Sequence, residues 1–152
     1  MSKITKVIAR QVFDSRGNPT VEAEVFSKTI SSSSICPSGA STGSFEAYEK
    51  RDNIKKNYNG KSVLKAIKII NTIISKKLKN QNVHNQEKID HLLLKLDGTK
   101  QKTKLGANSM LSVSMAVKKL SSRIKKIPLY KNFLVKNNFS LPYPLMNIIN
   151  GG

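Results

Sequence analysis

Cysteine occurs only once in this sequence, tryptophan is absent, and no apolar run is long. The single thiol, Cys36, excludes a framework of internal disulfides and is typical of a protein from a reducing compartment. No apolar stretch approaches the roughly 18 residues that a membrane-spanning helix needs, and the first six residues lack the apolar segment of a secretory signal. We therefore expect a soluble, cytoplasmic protein without a membrane span, long enough for one domain and a second small piece.

Acidic residues are scarce. The chain has 9 Asp and Glu against 27 Lys and Arg, which gives a formal net charge of +18. Such an excess suggests a nucleic-acid partner, but the lysines are spread from Lys3 to Lys136 and no aromatic ladder is interleaved with them. The pattern predicts non-specific attraction to polyanions and no specific nucleic-acid recognition.

A metal centre is not indicated by the sequence. The few carboxylates are scattered over turns, strand faces and helix surfaces, whereas a magnesium site needs several oxygen ligands in one place. His84 and His91 have no cysteine, histidine or carboxylate set at ligand spacing beside them, so we expect no zinc site.

Three β-strands are predicted in the first quarter of the chain. Residues 4–13 are rich in β-branched and apolar side chains, and residues 21–26 alternate apolar with charged side chains, the period of a half-buried strand. The break at Gly17-Asn18-Pro19 favours an antiparallel pair, and residues 30–35 form a third strand after a short connection.

Helices are predicted over most of the remainder. A short helix is expected at residues 45–52 with Ser44 as its N-cap, and longer ones at 63–78 and from about Asn85 to Asp97. A central helix at 109–117, with Met110 and Met115 in the core, and a last helix at 129–136 complete the set. The fold class is therefore α+β, a three-stranded antiparallel sheet followed by a cluster of about four helices.

The loop at residues 37–43 is the strongest candidate for function. Its two glycines relax the backbone, and its hydroxyls and free N–H groups could contact an anion or a metal-bound oxygen. On composition alone an ordinary surface connection is the better explanation, since Ser/Thr/Gly clusters usually form only connections.

Several motifs, taken together and in order, resemble the amino-terminal part of enolase, the phosphopyruvate hydratase. The motifs are Asp14-Ser15-Arg16-Gly17-Asn18-Pro19-Thr20-Val21-Glu22, the Glu46 to Asp52 segment, Leu96-Asp97-Gly98-Thr99, Lys104-Leu105-Gly106-Ala107-Asn108 and Asn150-Gly151-Gly152. The resemblance implies an amino-terminal domain at residues 1–138. Residues 139–152 would be a linker and the first strand of a truncated α/β barrel, with a strand expected at 145–149.

The resemblance also implies a function, the dehydration of 2-phosphoglycerate to phosphoenolpyruvate with Mg2+ as cofactor. The loop would be the mobile active-site lid, formed by Ser38, Gly39, Ala40, Ser41, Thr42 and Gly43. Ala40 and Ser41 would contact the substrate, and Ser41 would bind the second magnesium as the loop closes. Gly39 and Gly43 would act as hinges.

No catalytic residue is expected within this chain, because the catalytic lysine and glutamate and the metal-binding carboxylates of the family would lie beyond Gly152. Arg16 and Glu22 would pair with the other subunit of a homodimer. Two alternatives stay open: a non-catalytic remnant that serves as an interaction module, and a polyanion-binding module that uses the positive charge.

Overall fold

The computed structural model describes residues 2–28, 30–36, 38–39, 43–133 and 140–146. A three-stranded antiparallel sheet opens the chain, with β1 at Lys6–Phe13, β2 at Pro19–Ser27 and β3 at Ile30–Cys36. The strands lie in the order β1-β2-β3, and Arg10 on β1 is opposite Glu22 on β2. The predicted sheet is confirmed.

The helices follow the sheet. α1 at Leu64–Ile69, a π-helical turn at Ile70–Ile74 and α2 at Ser75–Leu78 make one helical run, and α3 spans Gln86–Asp97. α4 spans Ala107–Lys125 and α5 spans Leu129–Phe133, while a short 3-10 turn lies at Tyr58–Gly60. The α+β class with about four helical segments is confirmed. None of the described helices combines the length and apolar character needed to cross a bilayer.

The core lies between one face of the sheet and the helices. On β2, Val21, Ala23 and Val25 are buried and the residues between them are half-buried, as the period of two predicts. α4 packs across β2 and β3, and it buries Val117 and Leu120 in the same cluster. The helical run from α1 to α2 packs against β1.

Side chains from the helices reach the outer strands of the sheet. Asn71, in the π-helical turn, accepts a hydrogen bond from the Ala9 N–H (2.7 Å) and donates one to the Ala9 carbonyl (3.2 Å). On β3, Arg123 donates to the Ser31 carbonyl (2.7 Å) and Lys119 to the Ser33 carbonyl (3.5 Å). Backbone groups of both edge strands, β1 and β3, therefore form hydrogen bonds that a neighbouring strand would otherwise provide.

The predicted helix at 45–52 is wrong. Residues 44–46 form a turn and bend, and residues 47–52 have no regular secondary structure. The Tyr48 N–H donates to the Gln101 carbonyl (2.7 Å), and the Tyr48 carbonyl accepts from the Ala107 N–H (2.8 Å). Because these groups bond to a distant segment, they cannot form the local bonds of a helix, and Ser44 caps no helix here.

Other boundaries differ less. α4 is twice as long as the predicted 109–117, since Lys118 to Lys125 continue the helix. Met110 lies in the core as predicted, whereas Met115 is only half-buried. Residues 134–136 of the predicted last helix and 147–149 of the predicted strand at 145–149 lie outside the described residues. Residues 140–146 have no regular secondary structure.

Candidate functional site

The candidate loop begins directly after β3. Of the residues assigned to it, Ser38, Gly39 and Gly43 are described, whereas Pro37, Ala40, Ser41 and Thr42 lie outside the described part of the chain. The site can therefore be built from the groups that hold the two ends of the loop.

A hydrogen-bonded cluster holds the amino end of the loop. Ser38 Oγ donates to Glu49 Oε1, and Arg51 Nη2 donates both to Ser38 Oγ (2.6 Å) and to Glu49 Oε1 (2.8 Å). From the other side, Arg16 Nη2 donates to the Ser38 carbonyl (2.8 Å) and less closely to that of Gly39 (3.4 Å). Two guanidinium groups thus fix the position where the loop leaves the sheet.

Asp14 orients Arg16. The Asp14 carboxylate accepts hydrogen bonds from the backbone N–H groups of Arg16 (2.9 Å) and Asn18 (2.8 Å), which closes the turn between β1 and β2. Its second oxygen lies 3.9 Å from Arg16 Nη2, and the side chain is only 7% exposed. The hydrogen bond from Asn18 is the main reason that the pKa of Asp14 is lowered, with a further contribution from Arg16.

The segment after the loop is tied to the start of α4. Asn108 Oδ1 accepts from the Lys50 N–H (3.1 Å) and Asn108 Nδ2 donates to the Lys50 carbonyl (3.0 Å), so one side-chain amide pairs with both backbone groups of a residue. Gly106 has φ 90° and ψ 135°, and a Cβ placed there would lie 2.5 Å from Lys50 Cβ. The Lys104 to Asn108 motif therefore combines a glycine for close approach with an asparagine for pairing.

An open cleft of about 530 Å³ lies between the two ends of the loop. Its lining includes Gly39, Gly43, Glu46, Glu49, Arg51 and Gln101.

Cys36, at the end of β3, is buried, and burial together with the nearby Glu49 carboxylate raises the pKa of its thiol to about 11. The thiol is therefore a poor nucleophile at neutral pH.

The two residues predicted to face a partner subunit are engaged within this chain. Arg16 contacts the loop as described above, and Glu22 Oε2 accepts from Arg10 Nε (2.5 Å). Arg10 Nη2 also donates to Glu24 Oε2 (2.8 Å), so one arginine bridges two carboxylates on the outer face of the sheet. The hydrogen bond from Arg10 is the largest cause of the lowered pKa of Glu22. A subunit contact through Arg16 and Glu22 stays a prediction.

The described residues do not form a magnesium site. No group of three or more His, Cys, Asp or Glu side chains among them could hold a metal ion. Asp52 instead accepts from the Leu64 and Lys65 N–H groups at the start of α1 (3.0 and 2.8 Å), and Asp97 accepts from the Leu105 N–H (2.7 Å). These carboxylates stabilise backbone turns and are not available as ligands.

Glu49, Arg51 and Asn108 belong to motifs that carry the resemblance, but the sequence predicted no role for them in holding the loop. A helix at 45–52 would place Glu49 and Arg51 about 200° apart around its axis, so the predicted helix did not bring these two side chains together.

Comparison with known proteins agrees with this architecture. The family described as "Enolase, N-terminal domain" matches residues 4–133. The enolase of Pelagibacter ubique (strain HTCC1062) is 68% identical over 152 residues, which is 100% of this chain and 36% of that protein.

Two further relatives extend the comparison. The enolase of Methanosarcina mazei is 51% identical over 150 residues, with 99% of this chain and 35% of the relative covered. That of Ehrlichia canis (strain Jake) is 51% identical over 155 residues, with 100% of this chain and 37% of the relative covered. The chain spans about a third of the length of these relatives. By its sequence, the chain belongs to the enolase family.

Proposed function

We propose that this chain is the loop-bearing domain of a cytoplasmic enolase that dehydrates 2-phosphoglycerate to phosphoenolpyruvate in glycolysis. The observation that carries the proposal is that the amino end of one Ser/Gly-rich loop and the segment that follows the loop are both held by hydrogen bonds. Arg16, Glu49 and Arg51 hold Ser38 and Gly39, and Asn108 holds Lys50. A loop between two anchored segments can bring a short polar stretch to a substrate at a reduced entropic cost.

Within this proposal the loop is an active-site lid. Gly39 and Gly43 are its hinges, Ala40 and Ser41 contact the substrate, and Ser41 supplies one oxygen ligand to the second magnesium ion. Ser38 and Thr42 complete the lid. The remaining metal ligands and the catalytic groups are assigned to residues outside this chain, because the described carboxylates do not converge.

The proposal includes a homodimer. Arg16 and Glu22 are both on the sheet side of the domain, at the turn before β2 and on β2 itself, where they could contact groups of a second subunit in addition to their present partners. Such contacts would orient the subunits more than they would tighten their association.

A chimeric enzyme tests the role of the loop. We expect the 152-residue chain alone to show no hydratase activity when 2-phosphoglycerate and magnesium are added and the ultraviolet absorbance of phosphoenolpyruvate is followed. We expect activity when the chain replaces the matching third of the Pelagibacter ubique enolase, to which it is 68% identical.

Ser41→Ala in the chimera should lower kcat by about 100-fold or more, the scale at which loss of one well-placed electrostatic contact acts. Ser15→Ala, at an exposed serine of the turn between β1 and β2 that does not line the cleft, is the matched control and should leave kcat unchanged. Activity of the isolated chain would contradict the assignment of the catalytic groups to other residues. An inactive, folded chimera would favour a non-catalytic interaction module instead.

A further inference from the structure

The second half of α4 has a high density of positive charge that the proposed enzymatic role does not use. Residues 118–126 contain five basic side chains and no acidic one, and no Asp or Glu occurs from residue 98 to the end of the sequence. The basic residues are Lys118, Lys119, Arg123, Lys125 and Lys126. The dipole of α4 stabilises cations at its carboxyl end, which explains why the helix tolerates them but not what they bind.

The fold brings an aromatic ring to one of these cations, and a further lysine lies on the helix that carries the ring. Asn132 of α5 donates to Ser122 Oγ (2.9 Å) and accepts from Lys125 Nζ (2.9 Å), which fixes α5 against α4. Lys118 Nζ then lies 4.7 Å from the centroid of the Phe133 ring. Lys131 is exposed on the same short helix. We call the group formed by Lys118, Lys125, Lys131 and Phe133 the α4–α5 surface.

The positive charge of this surface is not neutralised within the chain. All nine carboxylates lie in the described part, and none approaches a described lysine within 4.0 Å, since the four ion pairs found there involve Arg10, Arg16 and Arg51. Asp90 is the acidic group that influences Lys118, and its carboxylate already accepts from Ser114 Oγ (2.6 Å).

The positive charge of Lys125 adds to the effect of burial on the pKa values of two neighbouring groups. Burial and the ammonium of Lys125 lower the pKa of Lys118, against a smaller opposing effect of Asp90. The imidazole of His84 is hydrogen-bonded to Ser121 Oγ (2.9 Å), and burial and Lys125 lower its pKa as well. An anion bound at this surface would offset the repulsion and raise both pKa values.

We propose that the α4–α5 surface binds single-stranded nucleic acid, with its lysines on the phosphates and Phe133 stacked on a base, without reading the sequence. Lysine ammonium groups contact phosphates as point charges and carry no base information. The Phe133 residue is 62% exposed, and an aromatic ring beside cations is the arrangement with which proteins hold unpaired bases. The proposal is independent of the proposed hydratase role.

Charge-matched variants of the whole 152-residue chain test this proposal. Fluorescence anisotropy would follow binding of a labelled oligouridylate of about 16 nucleotides over a series of salt concentrations. Lys125→Gln/Lys131→Gln removes two exposed charges of the surface. Lys76→Gln/Lys77→Gln removes two exposed charges from the last turn of α2, so net charge and helix-end position are matched.

We expect the first pair to lower the affinity about tenfold and to reduce the slope of log K against log salt by about 1.4, since each phosphate contact contributes about 0.7. The control pair should change the affinity less than about twofold. Phe133→Leu, which keeps an apolar side chain but removes the ring, should weaken binding about fivefold or more. The pKa of His84, measured by NMR, should rise in the complex.

Equal losses of affinity in the two double variants would overturn the proposal, because binding would then follow net charge alone. Equally tight binding of a duplex, or of a polyglutamate of the same length, would also overturn it, the latter in favour of an acidic protein partner. Circular dichroism of each variant shows whether the fold is retained. If the Phe133→Leu variant bound the oligouridylate as tightly as the unaltered chain, Phe133 would not stack on a base. The proposed preference for single strands would then be refuted.

Discussion

Gly106→Ala is the substitution that most directly tests how the segment after the loop is held. Gly106 has a positive φ of 90°, and its missing side chain leaves room for Lys50, whose Cβ would lie 2.5 Å from a new Cβ. Asn108 Oδ1 would lie 2.8 Å from the same atom. Both neighbours belong to the contact between the segment at 47–52 and α4, so the added methyl group must displace that segment from the helix.

The cost can be worked out from the geometry. A residue with a side chain in this backbone region costs about 1–3 kcal/mol. The displaced segment would weaken the hydrogen bond from the Ala107 N–H to the Tyr48 carbonyl (2.8 Å) and the pair between Asn108 and Lys50, each of which contributes about 1 kcal/mol. We expect the free energy of unfolding to fall by about 3–5 kcal/mol in total, a large share of the stability of one domain.

Urea unfolding followed by circular dichroism measures this change, and Gly98→Ala is the matched control. Gly98 also has a positive φ, 70°, but the nearest atom to its added Cβ is the Lys95 carbonyl oxygen at 3.8 Å, an ordinary contact. It should therefore cost only about 1 kcal/mol for its backbone conformation. If the two variants differ by less than about 0.5 kcal/mol, the close approach of Lys50 does not contribute to stability and the reasoning fails.

Two further predictions concern ionisable groups. Burial opposes the ionisation of Asp52, but hydrogen bonds from the Lys65 and Leu64 N–H groups outweigh burial and lower the pKa of its carboxyl group. The stabilisation of the fold by the Asp52 carboxylate should therefore be complete above about pH 4 and be lost as the pH falls through the folded-state pKa. Asp52→Asn should therefore lower the unfolding free energy by about 1–2 kcal/mol at neutral pH and by less in acid, and an equal loss at pH 7 and pH 3 would contradict this. Because burial raises the pKa of Cys36 to about 11, its reaction with a disulfide reagent at pH 8 should be slow in the native chain and fast in urea, and equal rates would show that the thiol is accessible.

Elements with a strong period were predictable from the sequence. The alternation around Val21 and Val25 predicts both the strand and its buried face, and the leucines of α3 predict a helix that ends at Gly98, where φ is positive. In each of these cases the local pattern and the tertiary packing demand the same conformation. The local sequence is then sufficient to predict the secondary structure of the segment.

The support of the candidate loop was not predictable in this way. Residues 45–52 contain good helix formers, yet the backbone groups of Tyr48 and Lys50 bond to partners more than 50 residues away along the chain. The π-helical turn that aims Asn71 at β1 gives no local signal either. The sequence pattern of a segment reflects its intrinsic conformational propensity, whereas the conformations of these two segments are determined by their tertiary contacts.

The distribution of the acidic residues connects the fold with the proposed function. Seven of the nine carboxylates accept hydrogen bonds from other groups of the chain, and they lie apart, at turns, helix starts and strand faces. A chain with 27 basic residues uses most of its few acids in structural contacts, and recruiting any of these seven to a magnesium ion would break a hydrogen bond or an ion pair. Under the proposed function these residues position a loop, and the remaining ligands of the metal are expected from other residues.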